Sequence, residues 1–146
     1  MVDADRLLAI LGRVTARLRI LSTYADANRT ELVADRVQLG DLKYTFQTAL
    51  EACIDAAHHV VADQGLGVPT SNADAFRQLA DAGLVDHDLA QTMGAAARFR
   101  NVLVHDYAEV DDQRVIDHLR HLPEIRRFVT AMTGLLDDDR EAPADP

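Results

Sequence analysis

Leu7, Leu11, Val14, Leu18 and Leu21 follow one another at intervals of four, three, four and three residues. That rhythm matches the helical repeat and sets all five side chains on one stripe. Ile10 widens the stripe, so a helix is predicted from about Asp3 to Tyr24. No useful length of chain alternates apolar and polar residues with period two, which leaves nothing to pair as strands. The fold class is therefore predicted to be all-α, an up-and-down bundle of four to five helices.

The other elements are read in the same way. ELVAD, after the polar ADANRT, is long enough for a single helical turn. The second long helix is clearest from Asp41 to Ala62, with Leu42, Phe46, Leu50, Cys53 and Ala57 on one face. Gly40 either breaks an earlier start to that helix or merely interrupts it, at a cost of about 1 kcal/mol. DQGLGVPTSN reads as a loop that ends in two candidate helix caps, Ser71 and Asn72. A short helix from about Ala73 to Ala82 then stops at Gly83, and Asp86 or Asp88 can cap the next, which carries TMGAAARFRN toward His105. The last helix is predicted from Asp111 or Asp112 to about Leu136, kinked or split by Pro123. Residues 1–136 thus form one helical domain, and 137–146, acidic and Pro-rich, form a tail too polar to pack.

Composition narrows the function classes. A single cysteine, Cys53, excludes an internal disulfide and a cysteine-rich zinc site, and suits a reducing compartment. The N-terminus lacks a basic start followed by an apolar run and a small-residue cleavage site, and no apolar run could span a bilayer. A cytoplasmic protein without a membrane partner is expected. The net charge of −9 disfavours a broad nucleic-acid interface, since phosphates would be repelled. Asp137, Asp138, Asp139, Glu141 and Asp145, against Arg140, confine part of that charge to the tail. Arg6, Arg13, Arg17 and Arg19 lean the other way at the N-terminus. The balance permits a small, focused cationic site.

Most of the histidines are explained by solvated helix faces. His58 and His59 are adjacent, so they point about 100° apart and cannot easily share a metal. Asp55 with His59, and His118 with His121, give at best half-sites. His87 suits the first turn of its helix. The stretch RFRNVLVHDY, from Arg98 to Tyr107, is different: groups able to do chemistry flank the apolar run Val102 to Val104. On a regular helix Asn101 and His105 share a face, whereas Arg100 and His105 lie about 140° apart. One straight helix presents that pair poorly to one phosphate. Either the helix ends before His105, or two chains bring their copies together about a two-fold axis. The bland alternative is that His105 closes the helix and Arg100 pairs with an acid such as Asp106.

RNVLVHDY resembles the Arg-x4-His motif of HEPN-superfamily ribonucleases, and its RNxLVHxY pattern is similar to that of the HepT toxins. LEACIDAAHHV and PTSNADAFRQLADAGLV resemble the flanking segments of that family, so the likeness covers roughly residues 1–136. The resemblance implies a homodimeric all-α bundle with endoribonuclease activity that needs no metal or other cofactor. It makes Arg100 and His105 the catalytic pair, Asn101 a positioning residue and Tyr107 a regulatory one. Arg98 also stands a permissible distance before His105 but lacks the polar residue that follows Arg100. The resemblance further implies RNA as substrate, with tRNA as one choice. It also implies an MntA-like nucleotidyltransferase antitoxin that silences the enzyme by attaching AMP to Tyr107. A competing expectation within the same superfamily is a non-catalytic HEPN module that only binds such a partner or its substrate.

The residue types suit the chemistry. RNA supplies its own nucleophile, the 2′-hydroxyl, so the enzyme must accept one proton, donate another and stabilise charge on the phosphate. Histidine titrates near neutrality and serves either proton role. Arginine stays cationic and can grip phosphate through two bonds. An AMP group on Tyr107, seven residues from Arg100, would set a competing phosphate near that arginine if the helix continued.

Overall fold

The computed structural model describes residues 3–105 and 109–141. Helix α1 spans Ala4–Ala25 and buries Leu7, Ile10, Leu11, Val14, Leu18 and Leu21, the stripe read from the sequence. Asp3 caps it, its carboxylate accepting the Arg6 N–H at 3.2 Å. Helix α2, Arg29–Ala34, is the short turn around ELVAD. Helix α3, Arg36–Asp63, starts before Gly40 and runs through it. Asp35 explains that early start, because its carboxylate accepts the N–H groups of Val37 and Gln38. Burial of Leu39 and Leu42 on either side of Gly40 offsets the glycine's helix penalty.

Ser71 caps α4, Asn72–Asp81, by accepting the Asp74 N–H at 3.0 Å. Gly83 follows in the left-handed region (φ 77°), where a Cβ would be strained, and so lets the chain turn toward α5. Helix α5, His87–His105, begins directly after Asp86. The predicted last helix is split: α6 (Asp112–Asp117, capped by Asp111), a 3-10 turn (His118–His121), then α7 (Leu122–Glu141). Pro123 is the second residue of α7, where its missing N–H has no carbonyl to seek. Of the predicted tail, α7 takes in the stretch to Glu141, and 142–146 lie outside the described residues.

Helices α1 and α3 pack antiparallel, as their cross-contacts show. Asp3 meets Asp63, Arg13 meets Asp55, Arg17 meets Thr48 and Tyr24 meets Asp41. Helix α4 lies along α5, and α7 closes the bundle against α1 and α5. One continuous core runs through all of them, with Phe46, Phe76 and Phe128 among its largest fully buried side chains. Among the described residues there are no strands, and no helix is long and apolar enough to cross a membrane. Cys53 sits fully inside, where burial pushes its thiol up to about 12 and leaves it without a role as a nucleophile.

Candidate active site

Helix α5 is buried at its start by α4 and through its length by α3 and α7, but its last turns emerge. Phe99 and Leu103 hold it to the core, while Arg98, Asn101, Val104 and His105 are exposed and Arg100 is half-buried. The helix stays α-helical through His105, so the first route around the angular problem is closed: Arg100 and His105 diverge by about 140° within one chain.

Arg100 turns back toward α3. Its Nε and Nη2 donate to Glu51 Oε1 at 3.2 and 2.9 Å, and its Nη1 donates to Asn101 Oδ1 at 3.2 Å. Gln47 Nε2 adds a third bond to the same Glu51 oxygen, at 3.1 Å. Among the described residues the arginine's acidic partner is Glu51, 49 residues away; Asp106, the acid that the bland alternative named, lies outside them. This network fixes the guanidinium plane at the edge of α5 and leaves part of it to solvent, since 27% of the Arg100 side chain is exposed. Coulomb attraction in a site this wet is modest, and the network's main effect is orientation.

His105 has no hydrogen bond or ion pair to any described residue. An exposed imidazole can take or give a proton, which a buried and saturated one cannot. Asn101 sits one turn before it on the same side, as the spacing required. Tyr107 lies outside the described residues. Glu51 and Gln47 are the groups that sequence reasoning missed in this role. Nothing local in the sequence links Glu51 to Arg100.

His58, His59 and His118 have local partners. His58 Nε2 lies 2.9 Å from Asn72 Oδ1, and His59 Nε2 pairs with Asp63 at 3.2 Å and reaches the Asp3 carbonyl at 3.3 Å. Asp55 pairs with Arg13 instead of His59. Among the described residues no three His, Cys, Asp or Glu side chains converge as a metal site. His118 stacks flat on Phe99, ring centroids 3.7 Å apart, with Phe46 edge-on to both rings. Burial, then the nearby His121, Arg114 and Arg120, hold its pKa below the ordinary histidine value.

That depression has a sign. The unfolded chain binds a proton at His118 more readily than the folded one, so stability falls as pH drops through the ordinary histidine range. Thermal unfolding at pH 7.5 and 5.5 is expected to show a smaller acid-induced fall for His118→Leu than for the wild type. An equal fall in both would remove His118 from the acid response.

The family model "Ribonuclease HepT-like" matches residues 14–132. The chain belongs to the HepT-like ribonuclease family. Among curated HepT-like proteins it is similar to an mRNA nuclease HepT from Shewanella oneidensis, 31% identical over 112 residues, covering 76% of this chain and 83% of that one. It is also similar to a tRNA nuclease HepT from Aphanizomenon flos-aquae, 25% identical over 113 residues, covering 74% and 71%. A solved structure with the same fold is the tri-AMPylated HEPN toxin of Shewanella oneidensis in complex with an MNT antitoxin. It has a TM-score of 0.81 and 24% identity over 92% of this chain and 99% of that one. The all-α bundle is thus the HEPN fold, and the enzymatic class is that of a HepT-like endoribonuclease.

Proposed function

We propose that this HepT-like ribonuclease is the toxin of a toxin–antitoxin pair, cutting RNA in the cytoplasm at a site that two copies of the chain build together. The observation that carries the reading is the end of α5: an oriented guanidinium and an imidazole without a hydrogen-bond partner among the described residues, solvent-accessible yet about 140° apart. A second copy across a two-fold axis sets the Arg100 of one chain beside the His105 of the other. The chemistry then needs no metal. One imidazole takes the proton of the 2′-hydroxyl as its oxygen bonds to phosphorus, and the bond to the 5′-oxygen breaks as that oxygen receives a proton. Arg100 stabilises the charge that grows on the phosphate, and Asn101 orients Arg100 through its Oδ1. The products are a 2′,3′-cyclic phosphate and a 5′-hydroxyl. Relatives described as mRNA and tRNA nucleases make both RNAs candidate substrates, and tRNA is the one to test first.

Tyr107 is proposed as the off switch. A nucleotidyltransferase partner would transfer AMP from ATP to its hydroxyl, releasing pyrophosphate. The added phosphate would then compete with RNA for the cations of this end of α5. The expected result is cleavage of RNA by the wild type in excess chelator. Incubation with the antitoxin and ATP is expected to end that cleavage and to add one or more AMP masses, which Tyr107→Phe prevents. RNA left intact by the wild type sinks the nuclease reading. An AMP mass retained by Tyr107→Phe sinks the switch alone.

A further inference from the structure

Arg100 is not the only arginine at this end of α5. Seven residues separate Arg98 from His105, which on a regular helix is about 20° short of two turns and about 10.5 Å along the axis. Arg98 therefore shares the exposed face of His105 more closely than Arg100 does. Gln91 and Ala95, also exposed, continue that face toward the start of the helix. Arg98 makes no hydrogen bond or ion pair with any described residue, while Arg100 is committed to Glu51. Its guanidinium lies over Gly94, with Nη1 3.9 Å from where a Cβ would stand there. It borders a groove of about 400 Å³ between the start of α4 and α5, lined also by Thr70, Ser71, Arg77, His87 and Gln91. Asp74 lines the groove too, but its oxygens are occupied by the Thr70 N–H and by Arg77. Arg77 is paired with Asp74 and Asp81, so among the described residues Arg98 is the arginine of the lining without an acidic partner.

We propose that Arg98 binds a phosphate flanking the scissile one, so that the RNA backbone leaves His105 along the exposed face of α5 and enters this groove. The inference rests on the ribonuclease reading above and adds a substrate-binding residue to it. It offers a way for a chain of net charge −9 to hold RNA: an arginine with no acidic partner among the described residues lies in line with the reacting groups.

The test compares Arg98→Ala and Arg98→Lys with the wild type on an oligoribonucleotide and on a dinucleoside monophosphate, which carries the scissile phosphate alone. On the oligonucleotide, Arg98→Ala is expected to raise KM about tenfold with kcat little changed, and Lys is expected to recover most of the loss. On the dinucleoside monophosphate the variants should match the wild type. RNA binding by the His105→Ala protein supplies a second readout. There Arg98→Ala should reduce the slope of log K against log salt by about 0.7 for each Arg98 engaged. An unchanged KM and salt slope overturn the proposal, as does an equal loss on both substrates or a changed oligomeric state in sedimentation. If the wild type cuts neither substrate, the ribonuclease reading fails separately and the salt slope still decides whether Arg98 meets RNA.

Discussion

His105→Ala is expected to slow RNA cleavage by about 10²–10⁴-fold, the range for losing a general acid or base. Arg100→Ala is expected to cost about 10²–10³, since the charge it meets grows only as the transition state forms. Both losses should fall on kcat more than on KM, measured by single-turnover cleavage with enzyme in excess and chelator present. His105 is exposed at the end of its helix and makes no hydrogen bond or ion pair with a described residue, so His105→Ala should unfold at the wild-type temperature. A mutant that keeps its stability and loses its activity has lost chemistry. Arg100→Ala also strands Glu51, but that carboxylate is one-third exposed and can be rehydrated, so the stability cost should stay below about 1 kcal/mol. Glu51→Gln should fall between wild type and Arg100→Ala, because it frees the guanidinium without removing it. Cleavage by His105→Ala at the wild-type rate would move the active site elsewhere.

Much of the fold was legible because it rests on local rules. The stripe from Leu7 to Leu21 became the buried face of α1, and Ser71, Gly83 and Pro123 each stand where their backbone preferences lead. Gly40 was ambiguous because a local penalty of about 1 kcal/mol is small beside the burial of its neighbours, which only the assembled bundle reveals. The 3-10 turn before Pro123 was equally hidden, since its first residue, His118, stacks on Phe99, which is distant in sequence.

The candidate site divides along the same line. Arg100, Asn101 and His105 are close in sequence, so their identities and angular relation could be read directly from helix geometry. The Glu51 contact could not, because it depends on how α3 and α5 pack over a separation of 49 residues. Nor does spacing reveal that Arg98 lacks a partner among the described residues while Arg100 is held by Glu51. Periodicity says where a side chain points, and only its neighbours say whether its charge is already spent.

Phe46→Ala is the stability counterpart of these candidate-site changes. Phe46 is 2% exposed on α3 and meets the Phe99 ring edge-on, centroids 5.7 Å apart, with His118 at 6.5 Å on the same side. Truncating a buried phenylalanine costs about 3–5 kcal/mol, because the transfer energy is lost and a cavity remains. Phe46 also walls an existing cavity of about 210 Å³ with Phe99, His118 and Ile125, so the new space would join an opening that its neighbours have not filled. The cost should therefore lie in the upper part of that range, lowering Tm by roughly 10–15 °C in a chain of this size. The damage should also reach the site. Phe99 is the residue before Arg100 and anchors this part of α5 to the core, so a loosened ring lets the guanidinium wander from Glu51. Cleavage measured well below the lowered Tm should fall several-fold, and Phe46→Leu should recover most of both losses by refilling the space. Val68→Ala, at a side chain 90% exposed, should change Tm and cleavage little. A Phe46→Ala protein within about 1 kcal/mol of the wild type in denaturant titration would show that the Phe46, Phe99 and His118 cluster does not hold α5 in place.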